Sequence, residues 1–220
     1  MEADVLPILH CDDELLVLDK PAGLAVHPGP RTPHSLEALL PDLALRLGQR
    51  RPLVLMHRLD RDTSGCLLLA RRPAGVRRLS RLFETRQVEK LYWAILDQLP
   101  AEDSGTIEAP LAKISSAEAG WRMVVSKSGK PATTHWQVLD RAARLVAFRP
   151  LTGRTHQIRV HATCLGSAIM GDPDYGEAGA TTMRLHARAL ALPRPDGSRL
   201  EVEAPLPPGW LAAQEPRLPS

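Results

Sequence analysis

No run of about 18 consecutive apolar residues occurs anywhere in this 220-residue sequence, so no segment has the make-up of a membrane-spanning helix. The opening residues, Met1-Glu2-Ala3-Asp4, lack a basic start followed by an apolar core, and no secretion signal is expected. Cysteine is scarce. Cys11, Cys66 and Cys164 are odd in number and unclustered, and they read as reduced core thiols of a cytoplasmic protein. Metal and nucleotide signatures are missing as well. His156 and His161 stand five apart with no glutamate between them, and Cys164 near His161 lacks further paired ligands. Thr63-Ser64-Gly65 is not a nucleophile elbow, and no glycine-rich phosphate loop or dinucleotide fingerprint occurs. The expectation is of no cofactor and no metal.

What is present is an ordinary globular composition, with 44% hydrophobic and 24% charged residues. The length favours one domain, able to bury roughly 70–75% of its unfolded surface. The net charge is only +3, but it is unevenly spread. Between Arg46 and Lys90, twelve basic residues face four acidic ones, a local excess of +8 that leaves −5 for the rest. Arginine outnumbers lysine 23 to 5, which favours bidentate contacts to phosphate and stacking on bases. Codon bias in a GC-rich genome would give the same ratio, but it explains the clustering less well.

Hydrophobic runs and breakers outline the elements. Leu15 to Leu18 reads as a strand ended by Lys20-Pro21-Ala22-Gly23, and Leu24 to His27 resumes briefly before the loop 27–31. Ser35 can cap a helix reaching Leu47, with Pro41 expected to kink or restart it. Leu53 to Met56 and Cys66 to Ala70 are strands around the charged segment His57-Arg58-Leu59-Asp60-Arg61-Asp62, which Thr63-Ser64-Gly65 closes. Pro73 starts a helix carrying Val76, Leu79, Leu82 and Phe83 at helical spacing. Leu91 to Leu96 is a strand, and Thr133 to Leu139 pairs with Leu145 to Phe148. Thr155 to Leu165 reads as a helix ended by Gly166. Arg184 to Leu192 and Leu200 to Ala204 form a closing hairpin. Strands dominate, with a few helices set between them, so the class is α+β.

Three places could carry chemistry. Asp60, beside Arg58 and Arg61, should stay ionised, and could be a nucleophile, a base or a ligand; a surface salt bridge in a turn fits the same residues. Tyr92, one of two tyrosines with Tyr175, could stack on a base or exchange a proton, or simply fill half of a core position. In the segment Thr152 to His161, helical spacing puts Arg159 at the core's edge, where a carboxylate partner is wanted; Asp60 is the candidate, and a generic surface arginine the alternative.

Taken together, these segments resemble the RluA-type family of RNA pseudouridine synthases, from about Leu6 to Trp210. The His-Arg-Leu-Asp signature with its following Thr-Ser-Gly stands at His57 to Gly65. Lys90 to Ala94 matches the Lys-x-Tyr-x-Ala element, and Thr152 to His161 matches Thr-Gly-Arg-x-His-Gln-x-Arg-x-His. Asp13 to Pro28, with Lys20-Pro21, resembles the opening motif; Gly171-Asp172, Tyr175-Gly176 and Leu185-His186-Ala187 are weaker marks. The resemblance implies one catalytic domain over residues 1–220, with its core at about 6–210. It implies a mixed, largely antiparallel central sheet flanked by helices and loops, with the cleft crossing its middle. The implied activity is isomerisation of specific uridines to pseudouridine in structured ribosomal or transfer RNA, by base flipping. Asp60 would be the catalytic aspartate, attacking sugar or base; Tyr92 would stack on the base, and Arg159 would pair with Asp60. Arg58 would fill the space left by the flipped uridine, and His57, Arg61, Thr63 and Arg154 would join it in binding RNA. A monomer is the default expectation.

Two departures from the family pattern stand out. Ser167-Ala168-Ile169 lacks the proline that relatives usually show before the isoleucine. Many relatives also carry an N-terminal RNA-binding domain of ribosomal-protein type, for which an opening strand near Leu6 is expected to leave no room. Two rivals keep the same residues: a non-catalytic RNA-binding or ribosome-assembly factor, and a hydrolase using Asp60 with His57. The first would tolerate loss of Asp60, Tyr92 or Arg159, all of which are present; the second lacks an oxyanion or metal arrangement.

Overall fold

Of the two apolar runs around the charged segment, the second becomes a buried inner strand of a sheet and the first a two-residue strand paired with it. The computed structural model describes residues 6–29, 34–116, 120–177 and 182–210, so Met1 to Asp4 and the end of the 27–31 loop lie outside the described residues. In chain order the elements are β1 (Ile8–Cys11), β2 (Leu15–Lys20), α1 (Leu36–Arg46), β3 (Val54–Leu55), β4 (Ser64–Ala70), α2 (Pro73–Glu84), β5 (Glu89–Ile95), β6 (Ser104–Glu108), β7 (Leu111–Ser116), β8 (Gly120–Val125), β9 (Thr133–Asp140), β10 (Leu145–Pro150), α3 (Gln157–Cys164), β11 (Leu185–Pro193) and β12 (Arg199–Glu203). The pairing is mostly antiparallel, as expected for this α+β class. The chain divides into two compact units, Met1–Lys90 with Ala187–Leu206, and Leu91–His186 with Pro207–Ser220.

In the first unit the strand order is β1-β2-β4-β11-β12, with β3 also on β4. All seven residues of β4 are buried, which is why its sequence is a continuous apolar run and not an alternating one. Its register with β2 runs from Leu15 opposite Ala70 to Lys20 opposite Gly65. Helix α2 packs on β4 through a face that buries Leu79 and Leu82. Helix α1 starts where Ser35 Oγ accepts the Ala38 N–H, and it continues through Pro41 without restarting. Leu24 to His27 is no strand; it makes a single bridge, Ala25 to Ser35.

The short strand β3 is extended by a side chain. Val54 and Leu55 pair with Ala70 and Leu69, and Met56 N–H donates to Leu68 O at 3.0 Å. The Leu68 N–H then donates not to backbone but to His57 Nε2, at 2.9 Å. Burial, with the Lys90 ammonium adding to it, pushes this imidazole down to about 3. The ring is neutral, with Nε2 as acceptor and the proton on Nδ1. It rests on Phe83 of α2, ring centres 5.5 Å apart.

In the second unit the order is β5-β10-β9-β6, with Phe148 opposite Tyr92 and Trp136 opposite Gly105, and β7 and β8 form a separate hairpin. Leu111, Met123, Ala132 and Val160 make a small core under that hairpin, with Tyr175 against it. The helix expected from Thr155 begins two residues later, because His156 takes a left-handed conformation (φ 51°) at its start. Where relatives carry a proline, Ser167 Oγ accepts the Gln98 N–H and Ala168 O accepts the Asp97 N–H, so these bonds hold the loop. Of the cysteines, only Cys66 is a core residue: Cys11 and Cys164 are exposed, because β1 is only partly buried and Cys164 closes an exposed helix end.

Two stability measurements follow. Gly65 has φ +102°, and a β-carbon there would lie 2.8 Å from the Ala187 carbonyl carbon. Gly65→Ala should therefore cost roughly 2–5 kcal/mol from strain and overlap, read as a lower urea midpoint with unchanged m-value. His57 titrates lower in the folded than in the unfolded chain. Its contribution to stability is complete above about pH 6.5 and lost as pH falls toward about 3. His57→Gln, which keeps an acceptor for Leu68, should flatten the urea-midpoint profile over that window; an unchanged slope would place the acid sensitivity elsewhere.

Candidate active site

In the first unit, the charged segment is a tight turn strapped to the sheet from below. Leu59 is buried and anchors it; Thr63 N–H donates to Asp60 O at 3.2 Å and closes a four-residue turn. Thr63 and Ser64 follow into the interior at 2% and 5% exposure, so Thr63 shapes the turn from inside. Asp60 is half-buried, whereas Arg58 and Arg61 are exposed beside it. Arg61 spreads its guanidinium over Asp62, with Nε and Nη2 each 3.1 Å from a carboxylate oxygen.

The strap is Lys20. Its side chain is wholly buried, and Nζ donates to Pro21 O at 2.8 Å, Leu24 O at 2.9 Å and Arg61 O at 3.0 Å. The Gly23 N–H also reaches Arg61 O, at 2.9 Å, with Gly23 at φ +86°. The peptide next to Asp60 thus has its carbonyl held by two donors. Desolvation brings the ammonium down to about 8, while Asp62, Asp60 and Asp19 act to keep it charged. The sequence offered one signal for this role: a lysine closing an apolar strand just before Pro-Ala-Gly has little but backbone carbonyls to bind.

In the second unit, Tyr92 is buried on β5, 9% exposed, opposite Phe148. Arg159 on α3 is 4% exposed, and its guanidinium forks onto Asp172, Nε to Oδ2 at 2.7 Å and Nη2 to Oδ1 at 2.6 Å. Nη2 also reaches Asp174 Oδ2 at 2.6 Å, and the guanidinium lies 5.0 Å over the ring of Tyr175. Asp172 is fully buried and accepts the N–H groups of Asp174 and Tyr175 as well. A carboxylate partner for Arg159 was legible in the sequence; that the second unit supplies two of its own was not.

Gln157 and His161 of the Thr152-to-His161 motif are scaffold. Gln157 Oε1 accepts from Thr152 Oγ1 and the Arg154 N–H, and its Nε2 donates to Thr133 O and Thr134 Oγ1. His161 is fully buried between Thr134 Oγ1 and Ala109 O. The His156 Nδ1 stands 3.0 Å from Tyr175 Oη, which accepts the Met123 N–H at the same distance. Arg154 is exposed and donates to Pro131 O. Among the described residues, no group of three or more His, Cys, Asp or Glu side chains is placed to hold a metal ion.

The family model for RNA pseudouridylate synthase matches residues 14–163, which span the Lys20 strap, the Asp60 turn, Tyr92 and Arg159. An uncharacterised RNA pseudouridine synthase of Zymomonas mobilis is 50% identical over 206 residues, covering 91% of this chain and 93% of the relative. The ribosomal large subunit pseudouridine synthase D of Nitrosomonas europaea is 40% identical, covering 96% of this chain but 65% of that longer protein. Among solved structures, human RNA pseudouridylate synthase domain containing 4 superposes with a TM-score of 0.79 at 30% identity, over 94% of this chain and 92% of that one. No helix of the described residues is long and apolar enough to cross a membrane. By the length of the family match and the identity of its relatives, the chain belongs to the RNA pseudouridine synthase family.

Proposed function

We propose that the protein isomerises uridine to pseudouridine in structured RNA, with large-subunit ribosomal RNA as the first substrate to test and transfer RNA as the second. The relative from Nitrosomonas europaea, named for the ribosomal large subunit, motivates that order. Asp60 is the catalytic carboxylate. The observation that carries this role is its mounting: a half-buried acid in a turn whose neighbouring carbonyl is held by a wholly buried ammonium and by a backbone N–H. A group held so tightly can meet a reacting carbon without first losing conformational freedom.

In the proposed reaction the bond from the sugar's anomeric carbon to N1 breaks, the uracil turns, and a bond to C5 forms. C5 loses a proton and N1 gains one. Atoms and electrons balance within the nucleotide, so the reaction calls for no redox cofactor. The target uridine must leave its stack, at a cost of about a few kcal/mol. Arg58, exposed beside Asp60, is proposed to occupy the vacated space, and Arg61 and Arg154 to hold phosphates. His57 spends Nε2 on Leu68 and Thr63 is interior, so both serve RNA binding through the shape of the turn. Tyr92 is proposed to stack on the uracil and Arg159 to orient Asp60 while anchored by Asp172. Both units are proposed to act as one catalytic domain, in a cytoplasmic monomer.

Asp60→Asn should lower tritium release from RNA labelled at uridine C5 by roughly a thousandfold or more, with RNA affinity kept. Release at the wild-type rate would remove Asp60 from the chemistry. Lys20 yields a second expectation. Above about pH 8 its neutral amine has two protons for three carbonyls, so kcat should fall on the alkaline side with an apparent pKa near 8. Lys20→Met should be slow at every pH and lack that limb; a limb that persists would assign it to another group.

A further inference from the structure

At the Ala70 end of β4, away from the Asp60 turn, the chain enters α2 through Arg71-Arg72-Pro73, and the loop following α1 comes alongside. Between them lies a cavity of about 580 Å³, and one of about 320 Å³ shares Arg51, Arg71 and Arg72 in its lining. The larger falls within the roughly 300–1,000 Å³ typical of ligand sites. Its floor is apolar, made by Pro52, Val54, Pro73 and Val76, and Val54 is 40% exposed although it lies in a strand.

The rim is cationic and held in place. Arg71 Nε donates to Gln49 Oε1 at 3.0 Å, and Gln49 Nε2 donates back to Arg71 O at 2.9 Å and to Arg51 O at 3.0 Å. This reciprocal tie fixes the loop against the entry to α2. Arg72 meets Asp13 at 3.1 Å in an exposed pair, an interaction worth little in water. Among the described residues, no carboxylate pairs with Arg50, Arg51 or Arg77, all of them exposed. An apolar floor between unpaired guanidiniums fits one ligand chemistry well: the face of a base below, with its flanking phosphates on the arginines.

We infer that this groove is a second RNA-docking site, which takes a nucleotide of a single-stranded or looped segment of the substrate. The inference rests on the reading of the protein as an RNA-modifying enzyme, and it adds a contact remote from the chemistry. Six residue steps along β4, from Ser64 to Ala70, separate the turn from the groove by about 20 Å, or roughly six base steps of a duplex. A substrate that engages both ends of β4 is oriented along it. An acidic protein segment could use the same arginines. RNA is favoured because the groove lies in the same +8 stretch that carries Asp60.

The test uses the full chain with Arg51→Ala and Arg77→Ala combined, two exposed substitutions that leave the Gln49–Arg71 tie intact. Binding of a fluorescein-labelled 12-nucleotide oligouridylate is measured by anisotropy at several salt concentrations, and tritium release from a large-subunit ribosomal transcript is measured alongside. The groove predicts affinity weaker by roughly tenfold or more at 0.1 M salt, and a salt slope lower by about 1.5. KM should rise while kcat stays within about twofold. Wild-type affinity, slope and KM in the double variant would overturn the inference and leave the groove to an acidic protein segment. If the wild type releases no tritium while the double variant still binds more weakly, the catalytic reading fails and the docking site stands.

Discussion

One buried ammonium organises the chemistry of the first unit. Lys20 Nζ, at the end of β2, gathers the carbonyls of Pro21, Leu24 and Arg61 around itself. Two of those carbonyls belong to the loop after β2, and the third belongs to the turn that carries Asp60. Two loops distant in sequence are thus fastened by one atom. The arrangement is costly, since an ammonium out of water loses its hydration. Hydrogen bonds from a charged donor, about 1.5–3 kcal/mol each, offset that loss only while all the acceptors stay in place. The nearby carboxylates of Asp62, Asp60 and Asp19 act in the same direction, keeping the amine protonated. Movement of the turn would leave a buried charge short of partners, so the turn has one favoured position.

The second unit solves an equivalent problem with the opposite arrangement of charges. Arg159 must hold a planar guanidinium still inside a helix-packed interior, and Asp172 meets it with two parallel bonds. Asp172 is itself fixed by the N–H groups of Asp174 and Tyr175, and the Tyr175 ring lies under the guanidinium. A buried ion pair contributes less to stability than it does to geometry. Its consequence here is orientation: a fork gripped along one edge has little freedom to rotate.

The scaffold was largely legible in the sequence, for reasons of length and burial. β2 and β4 are buried along most of their length, so they show as apolar runs, and α2 shows through Leu79 and Leu82 at helical spacing. The strands β6, β7 and β8 escaped notice because much of their surface faces solvent and their residues carry little apolar signal. The start of α3 was misplaced by two residues because the left-handed His156 is set by its contacts with Tyr175 and Trp121, not by local propensity. Motif residues were found by pattern, but their partners were not. Lys20 acts on backbone carbonyls, which leave no trace in side-chain identity, and Asp172 stands 13 residues beyond Arg159, outside any helical spacing. The pattern likewise gave no reason for His57. Its work is to take the place of a backbone carbonyl where β3 runs out.

The same chemistry explains how cations are apportioned in the first unit. Its only lysines are Lys20 and Lys90, and burial depresses both. An ammonium is compact enough to sit beneath a turn and donate to three carbonyls, and it can give up its proton if desolvated too far; a guanidinium can do neither. The exposed cations of this unit that flank Asp60 or face solvent on α2 are arginines: Arg58, Arg61, Arg77 and Arg81. The geometry of the turn depends on a lysine that burial brings down to about 8. Under the proposed function an alkaline shift would loosen the hold of Lys20 on the Asp60 turn and act on catalysis apart from phosphate attraction by the surface arginines.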